Sequence, residues 1–227
     1  MELEGRKRVV IENVKPEIDC GRFPIKRVVG EKVIVTADIF SDGHDSISAR
    51  LLYRRQRDKE WREIPLRLIE NDRWRGEFIV DEVGIYLYTV EGWIDRFATW
   101  QRDLGKKWDA GYDLKVDLLI GAGHVEETSK RASAEDRKKL IRLAEVLKGN
   151  ASIERTVTAA LDGELIELMD RYPDMRFAVS YGKDLAVVVD RKKALFSTWY
   201  ELFPRSCSSN AGEYGTFEDC ERLLPEI

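Results

Sequence analysis

Alternating apolar and polar positions dominate the first half of the sequence and predict β-strands. The two-residue period is clearest in the stretches KVIVTADIF, ISARLLYRRQ and RWRGEFIV, and polar turn segments such as SDGHDS and ENDR separate these runs. We therefore expect residues 8 to about 112 to form several short strands. Their regular spacing, without helices between them, is typical of an immunoglobulin-like antiparallel β-sandwich.

After residue 112 the spacing of the apolar residues changes to three or four positions, which predicts helices. Ser133 and Asp136 stand in the order of a capping box, and Gly149 follows the last apolar position of that segment. Leu140, Leu143, Ala144 and Leu147 share one face of the predicted helix. Residues 113–175 thus look like an inserted helical bundle.

Strand patterns return after the helices. RFAVSYGKDLAVVVD contains two apolar runs joined by Gly182, Lys183 and Asp184, which predicts a hairpin that completes the sandwich. We assign residues 1–112 and 176–190 to the sandwich and 113–175 to the insert. A predicted strand at Leu195–Phe203 and a helix capped by Thr216 then begin a β/α unit, which cannot bury both faces alone. We expect residues 191–227 to be the start of a larger domain and the chain to be a fragment.

Composition and charge narrow the class of protein. The 227 residues are 43% apolar and 35% charged, with a formal net charge of −4, which disfavours nucleic acid and anionic membranes as partners. No segment has the length of a membrane span or the pattern of a signal peptide. Cys20, Cys207 and Cys220 are an odd number without metal-binding spacing, which fits a reducing cytoplasm. We expect a soluble, cytoplasmic protein.

Six tryptophans leave two interpretations open. Exposed indoles on a sandwich could stack against sugar rings, whereas buried indoles would fill a core or an interface. We favour the second interpretation for most of them. The six are Trp61, Trp74, Trp93, Trp100, Trp108 and Trp199.

Other polar clusters carry no predicted site. His44 lies between Asp42 and Asp45, but turn chemistry explains this loop better than a metal, because the other histidine, His124, lies in the insert. The arginines of residues 50–75 are expected on the solvated face of a sheet. No nucleotide-binding, metalloprotease or nucleophile-elbow motif is present. The sequence therefore predicts no catalytic, cofactor-binding or metal-binding residue, and no cofactor.

Several long strings resemble a known family. VVIENVKPEIDCGRFPIKRVVGEKVIVTADIFSDGHDSISARLLYR, GIYLYTVEGWIDRFATWQRDLGKKWDAG and RFAVSYGKDLAVVVDRKKALFSTWYELFPRS, together with GTFEDCERLLPEI, resemble the N-terminal region of bacterial maltose-1-phosphate maltosyltransferases. These are GlgE-type enzymes of glycoside hydrolase family 13. The resemblance covers nearly the whole chain and is weakest at about residues 125–172.

The resemblance implies an architecture like the one predicted above. Family members have an N-terminal β-sandwich interrupted by a helical bundle, then a (β/α)8 catalytic barrel and a C-terminal β domain. On that basis ALFSTWYELF looks like the first barrel strand, and TFEDCERLL like the start of its helix. Residues 191–227 should then pack on the sandwich or be partly disordered.

The resemblance also implies an activity. Family members transfer maltosyl units from α-maltose 1-phosphate to the non-reducing end of an α-1,4-glucan with retention, and they release phosphate. Their nucleophile, acid/base and phosphate-binding residues lie on later barrel strands, so none is carried over to this chain. Glu201, Arg205 and Ser206 would lie nearest the substrate, and we interpret them as structural residues of the barrel rim.

The family's sandwich and insert form much of a homodimer interface. A bundle face with Leu140, Ala144 and Leu147 exposed would be consistent with such a symmetric contact. We therefore expect an accessory and dimerisation region that is inactive alone. The alternatives are a glucan-binding module that uses the tryptophans, or the accessory domain of a related branching or debranching enzyme.

Overall fold

The computed structural model describes residues 5–149 and 151–227. The predicted sandwich range starts at residue 1 and the predicted insert includes Asn150, so both ranges extend outside the described residues. The described chain forms two β-sheets around a shared apolar core, and five helices lie between two strands of one sheet.

Each of the two sheets is built from strands that are not all consecutive in the chain. They are β1 (Val9–Lys15), β2 (Ile25–Val28), β3 (Lys32–Ser41), β4 (Ile47–Arg55), β5 (Arg62–Pro65), β6 (Arg67–Glu70), β7 (Arg73–Ile79), β8 (Gly84–Ile94), β9 (Val179–Ser180) and β10 (Leu185–Asp190). One sheet has the order β1-β3-β7-β6 and the other β2-β10-β8-β4-β5, with β9 on β8. The pairs are antiparallel except β10 with β2, which is parallel.

The alternation in the sequence correctly predicts the inward faces of these strands. In β3, every second residue from Val33 to Ile39 is almost fully buried, and in β7 the inward residues are Trp74, Gly76 and Phe78. Both sheets contribute to one cluster, in which Val35 packs with Leu51, Tyr88 and other inward residues. The two-sheet core is therefore confirmed, whereas the immunoglobulin-like assignment stays a prediction.

The helices form a second apolar cluster beside the sheets. They are α1 (Arg96–Asp109), α2 (Lys115–Ser129), α3 (Ala134–Lys148), α4 (Ile153–Ala160) and α5 (Gly163–Arg171). Their buried side chains include Trp100, Leu118, Leu140 and Leu165. In the described part of the chain, the predicted helical insert is confirmed as five helices between β8 and β9.

The prediction of strands up to residue 112 is wrong for α1. Asp95 directly follows β8 and caps this helix, since its carboxylate accepts the Ala98 N–H at 2.8 Å. Phe97, Trp100 and Leu104 follow at helical spacing and bury their side chains in the helical cluster. The aromatic residues of this segment thus follow a helical rather than a strand period.

The predicted hairpin at Gly182–Asp184 is also wrong. β9 and β10 do not pair with each other, because both lie one after the other along the 11-residue strand β8. Gly92 pairs with Val179, and Tyr88 pairs with Leu185. Gly182, at φ 79°, lies in the short connection between them.

The predicted strand at Leu195–Phe203 is not formed. In residues 191–227, all of which the structure describes, the regular elements are 3-10 turns and the short helix α6 (Phe217–Leu223). A strand needs a neighbour for its N–H and C=O groups, and this segment has none. The predicted start of α6 is confirmed, because Asp219 accepts the Thr216 N–H at 2.6 Å.

The N-terminus of α3 confirms half of the predicted capping box. The Ser133 hydroxyl accepts the Asp136 N–H at 3.2 Å, but the Asp136 carboxylate binds Arg171 at the end of α5 and Tyr172 just after it instead of closing the box. Gly149 ends the helix as expected. The expected exposure of Leu140, Ala144 and Leu147 is wrong, because all three are at most 3% exposed in the helical core.

Candidate functional site

A cleft of about 710 Å³ lies between the strands and the helices. Its sheet side is formed by β4, β5, β7 and β8, and its helix side by α1, α2, α5 and the segment 172–176. Five arginines and five carboxylates line it, together with Trp74, Trp93 and Tyr172. Clefts at the junction of two structural units are frequent ligand sites, and this volume is within their usual range of roughly 300–1,000 Å³.

The junction between β8 and α1 fixes one wall of the cleft. The two oxygens of Asp95 accept hydrogen bonds from the Ala98 N–H at 2.8 Å and from the Ser48 hydroxyl at 2.7 Å. Asp95 therefore joins the sheet to the helix at the point where the chain changes direction. Arg96 comes next, and its side chain makes no hydrogen bond or ion pair with any residue that the structure describes.

His124 of α2 and Asp170 of α5 face the same region. Burial, and to a lesser degree the charge of Arg96, lower the pKa of His124, although Asp95 acts in the opposite direction. Burial and the charge of Asp95 raise the pKa of Asp170. Neither side chain has a hydrogen-bond partner within the described ranges. Together with Arg96, these groups present one cation, one anion and one imidazole to the cleft.

A buried carboxylate holds the far end of the cleft in place. The Asp136 carboxylate accepts hydrogen bonds from Arg171 at 2.6 Å and from the Tyr172 hydroxyl at 2.8 Å. Arg131 donates to the Tyr172 carbonyl at 3.0 Å, which fixes the chain as it leaves α5. Hydrogen bonding from Tyr172, and then the bond and charge of Arg171, lower the pKa of Asp136.

The floor of the cleft is aromatic and nearly buried. Trp74 and Trp93 are each 9% exposed, and the Trp74 ring nitrogen donates to the Ile39 carbonyl at 3.1 Å. Trp100 is buried as well, so the expectation of core tryptophans is confirmed for these three. Trp61 lies under the Arg54 guanidinium at 4.7 Å, and Trp199 is 93% exposed.

Arg8 binds the acidic side chains beside His44. Its guanidinium donates to Asp42 and to Asp45, each at 2.7 Å. These bonds occupy the carboxylates that a metal would need. Across residues 5–149 and 151–227, no three His, Cys, Asp or Glu side chains form a group able to hold a metal ion.

The arginines of residues 50–75 lie mostly in ion pairs. Arg50 binds Glu91 at 2.7 Å and Glu63 at 2.6 Å, and Arg73 binds Asp38 at 2.6 Å. Opposite charges on adjacent strands stabilise the outer faces of both sheets. The structure thus supports a solvated, charge-paired face rather than an anion-binding stripe.

The residues expected at a barrel rim are not brought together with the cleft. Glu201, Arg205 and Ser206 lie on the exposed segment after β10. Arg205 stacks over Tyr214 at 4.8 Å, and its carbonyl accepts the Gly215 N–H at 3.0 Å. Their contacts are therefore local to that segment.

The sequence did not predict the cleft, because its walls come from distant segments. Ser48 and Asp170 are brought together only when the insert folds back over the sheet. A signal was present at the end of β8, where Asp95 precedes an arginine and a helical period. None of the helices in the described parts of the chain is both long and apolar enough to span a membrane.

Comparison with known proteins gives consistent matches. Residues 7–191 match the family model described as alpha-1,4-glucan:maltose-1-phosphate maltosyltransferase, domain N/S. Similar proteins include the alpha-1,4-glucan:maltose-1-phosphate maltosyltransferases of Chlorobaculum tepidum, 50% identical over 99% of this chain, and of Methylacidiphilum infernorum, 40% identical over 99%. The Myxococcus xanthus protein of the same name is 42% identical over 96% of the chain.

The alignments show what fraction of the length of these relatives the chain covers. The chain spans about a third of the length of the curated relatives it matches, namely 33% of the first two and 34% of the third. The match also includes the helical insert, where the quoted sequence strings resemble the family least. The chain belongs to the family of alpha-1,4-glucan:maltose-1-phosphate maltosyltransferases, as their N-terminal domain N/S.

Proposed function

We propose that this chain is the N-terminal accessory region of an enzyme that transfers maltosyl units. The donor would be α-maltose 1-phosphate and the acceptor the non-reducing end of an α-1,4-glucan, with phosphate released. The observation that carries this proposal is the 50% identity to the Chlorobaculum tepidum maltosyltransferase over 99% of the chain. The transfer itself would be carried out by the part of the enzyme that this chain does not span.

A chimeric protein tests whether the accessory region and the catalytic part of the enzyme have these separate roles. The chain would replace the N-terminal third of the Chlorobaculum tepidum relative, and phosphate release from α-maltose 1-phosphate would be measured with maltoheptaose as acceptor. We expect turnover by the chimera and none by the chain alone. Turnover by the chain alone, or a folded chimera without turnover, would contradict the proposal.

The division into structural units is also a proposal. The sequence suggests a sandwich of residues 1–112 and 176–190, an insert of 113–175 and a separate unit from 191 to 227. The packing of Phe97, Trp100 and Leu104 with the other helices supports moving the start of the helical unit to Arg96. The free thiols of Cys20, Cys207 and Cys220 support a reducing, cytoplasmic location.

We further propose that the chain forms a homodimer through its helices. Helix α2 is apolar on two opposite faces. Leu118, Ala122 and Val125 are buried in the helical core, whereas Val116, Leu119 and Ile120 are 50–68% exposed at helical spacing. A helix that is apolar all round is normally covered on both sides.

This outer face of α2 replaces the face of α3 that the sequence suggested. In a twofold dimer the same patch would be covered on both subunits, so one substitution acts twice. We expect Leu119→Glu to give monomers in light scattering, because it places two charges in an apolar contact. Ile141→Glu, at an exposed position of α3, is the matched control and should leave the dimer intact. Loss of the dimer in the control alone would refute the assignment to α2.

A further inference from the structure

Two of the three cysteines lie in the segment after β10. Cys207 follows the 3-10 turn Pro204–Ser206, and Cys220 lies in the middle of α6. Both thiols are free and half-buried, whereas the third, Cys20, is free and exposed between β1 and β2. Each thiol thus has some surface that a small molecule in solution can reach.

The chain between Cys207 and α6 forms a loop whose ends meet. The Gly215 N–H donates to the Arg205 carbonyl at 3.0 Å. A Cβ on Gly215 would lie 2.2 Å from the Pro204 carbonyl oxygen and 2.7 Å from the Ser208 nitrogen, so a larger residue would force the backbone apart here. The two ends of the loop are therefore in direct backbone contact, beside Cys207 at one end and just before α6 at the other.

The two thiols interact across this contact. Thr216 and the Asp219 carboxylate form the capping box that begins α6 and positions Cys220 in the next turn. The Cys207 thiol donates to the Phe203 carbonyl at 3.2 Å. Burial, followed by a hydrogen bond with the Cys220 thiol and by the charges of Cys220 and Asp219, raises the pKa of Cys207. Thiols that are in hydrogen-bonding contact can reach S–S bonding distance by rotation of their side chains, without a large movement of the backbone.

A pair of neighbouring thiols has a characteristic use in a reducing compartment. Structural disulfides are rare there, and the disulfides that do form are usually transient and redox-sensing. The raised pKa keeps Cys207 protonated at neutral pH, which suits the thiol that reacts second and displaces the first adduct. The pair therefore has the placement and the chemistry of a reversible dithiol.

We propose that Cys207 and Cys220 form a reversible disulfide when the protein meets a small-molecule disulfide such as oxidised glutathione. The Cys220 thiolate attacks one sulfur of the oxidant, which forms a mixed disulfide and releases one glutathione thiolate that takes up a proton. Cys207 then loses its proton and attacks the Cys220 sulfur, which forms the internal S–S bond and releases the second glutathione. Two protein thiols are oxidised while one glutathione disulfide is reduced to two thiols, so atoms and electrons balance. The bond would lock the loop at its base.

Incubation of the folded chain with oxidised glutathione tests the proposal. The Cys20→Ser variant is used, because the exposed Cys20 can itself take up glutathione. After an acid quench, we expect both remaining thiols to be lost and the mass to fall by two hydrogen atoms, with no glutathione retained. Cleavage after Glu213 and Glu218 separates the two cysteines, so their peptides should stay joined until dithiothreitol is added.

Two further variants are the matched controls. With Cys207→Ser or Cys220→Ser added to Cys20→Ser, a single thiol remains, and it should keep glutathione as a stable mixed disulfide because no second thiol displaces it. Circular dichroism would check that each variant folds like the parent. The loss of glutathione from the pair, but not from either single thiol, is the result that identifies an internal bond.

A comparison with the unfolded chain tests whether the fold brings the thiols together. In mixtures of reduced and oxidised glutathione, the equilibrium constant for the internal disulfide should be about tenfold or more higher for the folded chain than in urea, because the closed loop raises the effective concentration of the thiols. Equal constants would overturn the proposal, and so would stable glutathione adducts on both cysteines or disulfides between chains. None of these readouts depends on transfer of maltosyl units, so the inference and the proposed function fail separately.

Discussion

Neighbouring positions on α3 differ sharply in their surroundings. Leu140 has no exposed surface, whereas the next residue, Ile141, is 42% exposed. The apolar spacing in the sequence correctly places Leu140, Ala144 and Leu147 on one face, but it does not tell whether that face meets the same chain or a partner. The structure assigns it to the core of the helices.

Truncation of these two residues should therefore have unequal effects. We expect Leu140→Ala to lower the free energy of unfolding by about 2–5 kcal/mol, because it leaves a cavity in the core. Ile141→Ala should change it by about 0.5 kcal/mol or less, as an exposed substitution. Urea unfolding followed by circular dichroism measures both. Equal losses in the two variants would contradict the described packing of α3.

The two glycines of α2 offer a second comparison. A Cβ on Gly121 would overlap the ring of Trp100, while a Cβ on Gly123 meets no atom within 4 Å. We expect Gly121→Ala to destabilise the protein by about 1–3 kcal/mol through overpacking. Gly123→Ala should stabilise it by about 0.4–1 kcal/mol, since alanine restricts the unfolded chain. Thermal unfolding of the pair would test whether α2 and α1 pack as closely as the structure shows.

At the scale of secondary-structure elements, α1 and β10 show which features local sequence patterns do not predict. The spacing of Phe97, Trp100 and Leu104 suits a helix, but the strand pattern that precedes it masked this signal. The run at 185–190 was correctly predicted as a strand, but its pairing partner was predicted wrongly. β8 is long enough to pair with both β9 and β10, so these two strands do not pair with each other. The parallel partner β2 lies about 160 residues earlier in the chain, beyond the reach of any local pattern.

The contact between α3 and α5 gives a prediction about pH. The pKa of Asp136 lies below its ordinary value of 3.8, because of the hydrogen bond from Tyr172 and the pairing with Arg171. A carboxylate with a lowered pKa stabilises the fold above its unfolded pKa and loses that contribution as the pH falls through the folded value. Stability should therefore decline as the pH drops below about 4.

Asp136→Asn tests this assignment. The variant should be less stable than the parent at pH 7. As the pH falls below 5, it should lose less stability than the parent, because its amide does not titrate. Glu135→Gln is the control, since the Glu135 side chain is 82% exposed and, within residues 5–149 and 151–227, forms an ion pair with Lys139 alone, at 3.3 Å. An unchanged acid limb in Asp136→Asn would show that other carboxylates cause the decline.

At the scale of the whole molecule, two features lie beyond sequence patterns. The cleft is formed by segments more than a hundred residues apart, so neither Asp95 nor Asp170 reveals it alone. In residues 191–227 the predicted strand is wrong, because a strand needs a neighbouring strand to bind its backbone groups. The predicted capped helix is confirmed, because a helix cap depends only on residues close together in the sequence. In this segment Phe196, Trp199 and Phe217 are each more than three quarters exposed.

Self-association of the chain is the most direct test of its proposed role. Sedimentation equilibrium across a wide range of concentrations would measure the oligomeric state without any assumption about substrate. The account predicts a dimer, because the outer face of α2 leaves Val116, Leu119 and Ile120 uncovered in one subunit. A monomer at all concentrations would contradict it and show that these helices do not carry the assembly on their own.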